Sequence, residues 1–358
     1  WSLAAGGVIT RSIVGVPDDA YKVERDFDEG TIFSNVGYLY DSDFSTTLHN
    51  KAASDYTTQE KRHLYLKNKD VAPDIFHFNF GGYSGRFVFG ADGVPRLYSE
   101  QDLEITYSKT QSTLEAFEPH ATGYPIRGAI TSFTITTPKG ISYVFSVPEA
   151  SLNYSDVDKD RYNRPNTPEC DPQIGFAYTP RGGNYDGDIA YTAWYLSKII
   201  SPHGEAYNVV DFSYAEEFVA NHNITSQKYS IGLVGESGRA GSSASTLNLV
   251  FKKRLSQIDW PYGSVRFIAQ QDRNDLYYNS EIPTNLHAKA LSQISIRGNT
   301  EDVLKTYAFQ YGNFAKTVLP CTETAAWIQS HRARLRLESI TEKNGELALP
   351  PYLFSYNE

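Results

Sequence analysis

The sequence predicts an all-β fold built from long antiparallel hairpins. Three observations carry that expectation. Apolar residues recur with period two along most of the chain, the spacing that places alternate side chains on one face of a strand. Short turns rich in Gly, Pro and Asn separate the alternating runs. A Leu-x-x-Ile phrase, followed by a turn and a second strand, recurs four times in the second half.

Ile75-Phe76-His77-Phe78-Asn79-Phe80 is the first strong alternation, and Arg86-Phe87-Val88-Phe89 continues it after Gly81-Gly82-Tyr83-Ser84-Gly85. Aromatic residues at every second position suit a pleated surface, and Gly supplies positive φ at a tight reversal, so this is a hairpin. Ile130–Thr136, the turn Pro138-Lys139-Gly140 and Ile141-Ser142-Tyr143-Val144-Phe145 repeat the pattern. The four recurring phrases follow. Leu196-Ser197-Lys198-Ile199 leads to Val210-Asp211-Phe212-Ser213-Tyr214, and Leu255-Ser256-Gln257-Ile258 to Val265-Arg266-Phe267. Leu291-Ser292-Gln293-Ile294 leads to Tyr307-Ala308-Phe309-Gln310-Tyr311, and Leu337-Glu338-Ser339-Ile340 to Tyr352-Leu353-Phe354-Ser355-Tyr356. Each unit predicts one hairpin, and stacked hairpins predict one continuous β-segment over residues 1–358.

Helical patterning is weak. Residues 48–66 and 322–330 are the best candidates, and neither has a wide apolar stripe. Residues 153–188 and 221–245 lack periodicity and read as loops. Polar insertions are therefore expected near 41–70, 151–190 and 219–247.

Composition narrows the function classes. A chain of 358 residues with 40% hydrophobic and 14% aromatic content can bury a large core, which argues against disorder. A formal charge of −9 disfavours broad binding to phosphate backbones, so no nucleic-acid partner is expected. No apolar run is long enough to predict a membrane span. Cys170 and Cys321 are too few for a disulfide scaffold, and the residues alone leave open whether they pair. The sequence opens at Trp1 without an initiator, which predicts a piece of a longer polypeptide; the absence of every other methionine has no explanation in the sequence.

Several segments carry residue types known from catalytic or metal-binding motifs. Asp156-Val157-Asp158-Lys159-Asp160 opens like a calcium loop, but an EF-hand needs Gly and Glu where Arg161 and Thr167 stand, so a solvated acidic turn is expected. His203-Gly204-Glu205 with Pro320-Cys321 has the flavour of a zinc deaminase, yet the second cysteine position is Thr324 and His203 lies in a hairpin turn. Gly235-Glu236-Ser237-Gly238-Arg239 resembles a nucleophile elbow with Arg in place of the last Gly, inside a Gly/Ser-rich stretch. Two facing carboxylates of a glycosidase have no sequence signature here. No catalytic, cofactor-binding or metal-binding residue is assigned, and no cofactor is expected. Phe76, Phe78 and Phe80 read as packing residues, whereas Tyr154, Tyr162, Tyr178 and Tyr185 are candidates for a contact surface.

A set of phrases distributed over the chain resembles bacterial Rhs/YD-repeat proteins, with related phrases in SpvB-like and Tc-toxin B components. These are Trp1-Ser2-Leu3 with Ile9-Thr10-Arg11 and Gly15-Val16-Pro17-Asp18-Asp19, then Pro73-Asp74-Ile75-Phe76-His77-Phe78-Asn79-Phe80 with Gly85-Arg86-Phe87-Val88-Phe89, then Ala193-Trp194-Tyr195-Leu196-Ser197-Lys198-Ile199 and the Phe-x-Tyr strand ends. The resemblance implies a hollow β-cocoon shell, a non-enzymatic wall segment of a secreted or surface-exposed protein. Its implied partners are the remainder of the same polypeptide, an enclosed C-terminal effector, another surface protein or secretion machinery. The chain departs from the family where an Asp-Pro-x-Gly closing phrase is expected, because Asp171-Pro172-Gln173-Ile174-Gly175 has one residue too many. No self-cleaving residue is carried over. A cell-surface adhesin or carbohydrate-binding β-protein that uses exposed aromatic residues is the second reading.

Overall fold

The computed structural model describes residues 6–15, 17–19, 24–25, 32–33, 37–39, 52–58, 61, 70, 72–109, 129–158, 189–204, 209–230, 240–273, 284–300, 302–314 and 334–357. The fold is all-β, and every described ladder between its strands is antiparallel. The chain forms two compact units, the first from 1–151 and 189–212 and the second from 152–188 and 213–358.

In the first unit, β1 (Gly7–Ser12) pairs with β4 (Ile75–Phe80) on one side and with β10 (Ile189–Ile200) on the other. β2 (Glu24–Arg25) and β3 (Ile32–Phe33) make a separate two-stranded ladder. β4 continues through β5 (Tyr83–Phe89) to β6 (Pro95–Leu97), while β7 (Glu104–Lys109), β8 (Ile130–Thr136) and β9 (Ser142–Asp158) pair in sequence order, β9 through its first four residues. The expected hairpins are present. The first is tighter than its sequence implies: Phe80 pairs directly with Tyr83, so Gly81-Gly82 alone make the turn and Tyr83, Ser84 and Gly85 belong to β5. Positive φ at both glycines, 51° and 86°, gives the reversal whose twist matches flanking strands.

Period-two alternation does what it predicts. In β4, Phe76, Phe78 and Phe80 are buried while His77 and Asn79 face outward. Phe76 stacks on Phe87 at 5.0 Å, and Phe133 meets Trp194 edge-on at 5.0 Å. Phe80, Phe145 and Phe89 extend the same aromatic core. Such offset and edge-to-face contacts are the favoured arrangements of aromatic quadrupoles.

The second unit follows the last three of the four repeats; the first, residues 196–199 with 210–212, lies in the first unit. β11 (Val210–Ser230), β12 (Ala240–Trp260), β13 (Gly263–Asp272), β14 (Lys289–Gly298), β15 (Val303–Asn313) and β16 (Leu335–Asn344) are neighbours in that order, and β17 (Leu347–Ala348) and β18 (Tyr352–Leu353) both pair with β16. The loop reading of 221–245 is corrected, because β11 runs to Ser230 and β12 starts at Ala240. The loop reading of 153–188 is corrected at its start for the same reason: Asn153–Asp158 continues β9. A ladder is made by backbone groups, so it extends through polar sequence that carries no apolar period.

Residues 52–61 contain a 3-10 turn at Ala53–Asp55 and one α-type bond, Lys61 N–H to Thr57 O at 3.0 Å. The second helical candidate, 322–330, lies outside the described residues, as do Cys170 and Cys321. No helix among the described residues is long and apolar enough to cross a membrane.

Candidate functional site

The densest polar constellation is a buried clasp around Arg11 in the first unit. Strand alternation on β1 puts Ile9 and Arg11 on the same inward face, so the guanidinium enters an apolar interior and needs partners there. Nε donates to Asp74 Oδ2 at 2.6 Å and Nη1 to Asp19 Oδ1 at 2.7 Å, with a longer bond from Nη1 to Tyr191 O at 3.3 Å. The Phe76 ring lies under the guanidinium, 5.4 Å from centroid to Cζ.

The carboxylates also hold the backbone. Asp74 Oδ1 accepts Val14 N–H at 2.7 Å, and its Oδ2 accepts Asp18 N–H at 2.9 Å. Asp18 answers, its Oδ1 accepting Asp74 N–H at 2.9 Å. Asp19 Oδ2 accepts Ile130 N–H at 2.7 Å, at the first residue of β8. The carbonyl of Ile130 accepts Trp194 Nε1–H at 2.8 Å. One guanidinium and three carboxyl side chains thus fasten the end of β1, the start of β4, the start of β8 and, through Tyr191 O, β10 near its start.

Electrostatics in the clasp follow burial. The Asp18 carboxyl is held well above the usual carboxylate range, first by burial and then by the Asp74 carboxylate beside it. Burial also raises Asp74, against the pull of Arg11 and of its backbone donors. Asp19 and Asp74 raise the Arg11 guanidinium against its own burial, so it stays charged. Nearby, burial lowers the Lys109 ammonium, with Asp19 and Asp18 opposing that shift. Asp18 Oδ2 and Arg11 Nη2 are buried and have no hydrogen-bond partner among the described residues.

Chemically this is a fastening. Both oxygens of Asp19 and Asp74 are engaged by backbone amides and the guanidinium, and the side chains of Arg11 and Asp74 do not reach solvent. The sequence phrases supply its parts: Arg11, Asp18-Asp19, Asp74 with Phe76, and Trp194. In the sequence Asp18 and Asp19 stand out only as part of the phrase Gly15-Val16-Pro17-Asp18-Asp19, which does not reveal the clasp. The available signal was Arg11 itself, a charged residue at an apolar position of an alternating strand.

The weighed motifs end elsewhere. Asp156 and Asp158 lie within β9, so the expected acidic turn is a strand; Asp160 is outside the described residues. His203 is exposed in the turn between β10 and β11, its N–H donating to Ser201 Oγ at 3.3 Å, while Glu205 and Cys321 are outside the described residues. Gly235–Arg239, Tyr162, Tyr178 and Tyr185 are outside them too, and Tyr154 lies in β9. Among the described residues, no group of three or more His, Cys, Asp or Glu side chains is arranged to hold a metal ion. No family model, curated protein or solved structure matches the chain.

Proposed function

We propose that this chain is a non-enzymatic wall segment of a secreted or surface-exposed protein of the Rhs/YD-repeat type, which encloses or presents an effector or partner protein. The observation that carries the reading is convergence. Arg11, Asp18, Asp19, Asp74, Phe76 and Trp194, which lie in the phrases that resemble that family, are neighbours in a single fastened core. Hairpins added one beside another support it as well, since each buries the edge of the one before and lengthens a wall without a new globular core.

The test uses the natural polypeptide in which residues 1–358 occur. After limited proteolysis under native conditions, the partner segment should remain protected and co-purify with this β-segment. Loss of the partner at the rate of an isolated unfolded chain counts against enclosure.

A second reading, an adhesin or carbohydrate-binding β-protein, is favoured by Tyr262 and Tyr98. Both are exposed, at 74% and 60%, with Tyr262 at the tip of the β12–β13 hairpin. Planar exposed rings are what sugar faces stack on. It predicts glycan-array binding that Tyr262→Ala and Tyr98→Ala abolish.

A further inference from the structure

The four hairpins share one register. The Ile of each Leu-x-x-Ile phrase faces the first residue of the returning phrase: Ile199 opposite Val210, Ile258 opposite Val265, Ile294 opposite Tyr307 and Ile340 opposite Tyr352. Within the second unit the junction between hairpins is also constant. The third residue of the returning phrase faces the Ile of the next Leu-x-x-Ile strand, as Phe267 faces Ile294 and Phe309 faces Ile340. The flanking pairs keep step: Ile268 opposite Gln293 and Gln310 opposite Ser339 on one side, Arg266 opposite Ser295 and Ala308 opposite Thr341 on the other.

Phe354 holds that third position in the last hairpin, and no strand faces its outer side among the described residues. Phe354 N–H donates to Glu338 O at 3.0 Å, so the alternation of an antiparallel ladder points the N–H and C=O of Leu353 away from β16. The exposed side chains agree. Leu353 is 78% exposed, Tyr352 66% and Phe354 42%, whereas Val265, at the position of Tyr352 in the second hairpin, is 8% exposed. Pro350 and Pro351 donate no N–H, which confines any added ladder to Leu353 and beyond.

We propose that the outer edge of β18 and of the residues that continue it, Leu353, Phe354 and Ser355, is a docking site for a further β-strand of the Leu-x-x-Ile class, added antiparallel with its Ile opposite Phe354. The occupant comes from a polypeptide segment outside residues 1–358. A second folded copy does not supply it, because β10, β12, β14 and β16, the strands of this class, each have neighbours on both edges. The site rests on the strand registers and stands independently of the wall-segment reading.

The probe is a synthetic capped peptide with the sequence of Lys289–Gly298, a strand of this class from the chain itself. Fluorescence anisotropy of the labelled peptide should show saturable binding to the protein of residues 1–358, which does not carry the occupant. Binding should weaken about tenfold or more with Leu353→Pro or Ser355→Pro in the protein, and likewise with Ile294→Asp in the peptide. Circular dichroism melts of both protein variants verify that they fold, and either variant suffices if the other does not. Absence of saturable binding, or equal binding by the variants, overturns the proposal. Sedimentation that shows a dimer abolished by Leu353→Pro and indifferent to the peptide overturns it in favour of edge-to-edge pairing of two copies. Failure here leaves the proteolysis result untouched, so the two readings fall separately.

Discussion

Arg11 Nε donates to Asp74 Oδ2 at 2.6 Å, joining two fully buried side chains that lie 63 residues apart in sequence. Removing the cation leaves Asp74 and Asp19 buried without it, and breaking a buried pair from one side costs about 3–5 kcal/mol. Arg11→Met should lower the urea stability of the first unit by that amount. Arg11→Lys keeps the charge but has one nitrogen where Nε and Nη1 now serve two carboxylates, so it should lose less, about 2 kcal/mol. Equal losses in the two variants would show that shape alone matters.

Asp18 gives the clasp a pH dependence of unusual sign. Its carboxyl is raised in the folded state, above an ordinary value of 3.8, because it is buried beside Asp74. A group raised in this way binds more protons folded than unfolded, so its contribution declines as pH rises from the unfolded value through the folded one. Lowering the pH from neutral toward the unfolded value should therefore stabilise the first unit through this group, in contrast to ordinary acid denaturation. Asp18→Asn retains an oxygen for Asp74 N–H and removes the titration. Urea midpoints measured across that range should show a flatter pH profile in Asp18→Asn, with the largest gain over wild type at the alkaline end. An unchanged profile would mean that Asp18 does not titrate there.

Trp194 and Asp19 hold Ile130 from its two sides, the indole N–H at its carbonyl and the Asp19 carboxylate at its N–H. Trp194→Phe preserves most of the ring packing against Phe133 and Phe76 but leaves the buried Ile130 carbonyl without that donor. The expected loss is about 2–3 kcal/mol, from the unsatisfied acceptor and the smaller ring together. Amide exchange should accelerate across β8 before it does in β5. Uniform acceleration would show that the bond does not specifically fasten β8.

The hairpins were legible because their side chains alternate on a surface that is half buried, as Phe76, Phe78 and Phe80 show. The legs of β11 and β12 were not, since polar residues at 221–230 and 240–245 carry no apolar period while the backbone still pairs. The clasp was hidden for a different reason. Arg11, Asp19 and Asp74 meet only once β1 lies between β4 and β10, and nothing local in the sequence states that pairing. Its one local trace is Arg11 at an inward position.

The turn between β4 and β5 separates two costs that usually travel together. Gly81 and Gly82 both have positive φ, and two-residue hairpin turns of this kind ordinarily accept Asn at their first position. A Cβ at Gly81 would lie 2.6 Å from Tyr143 Oη, whereas one at Gly82 meets nothing within 4 Å. Gly82→Ala should therefore show the backbone term alone, about 1 kcal/mol. Gly81→Asn, despite its favourable turn chemistry, should cost more than Gly82→Ala because the phenol must move. Tyr143→Phe in the Gly81→Asn background removes the nearest atom and should recover part of the loss, leaving the turn's own preference visible. Thermal denaturation of the three variants checks the order, and a Gly81→Asn protein as stable as wild type would show that Tyr143 yields freely.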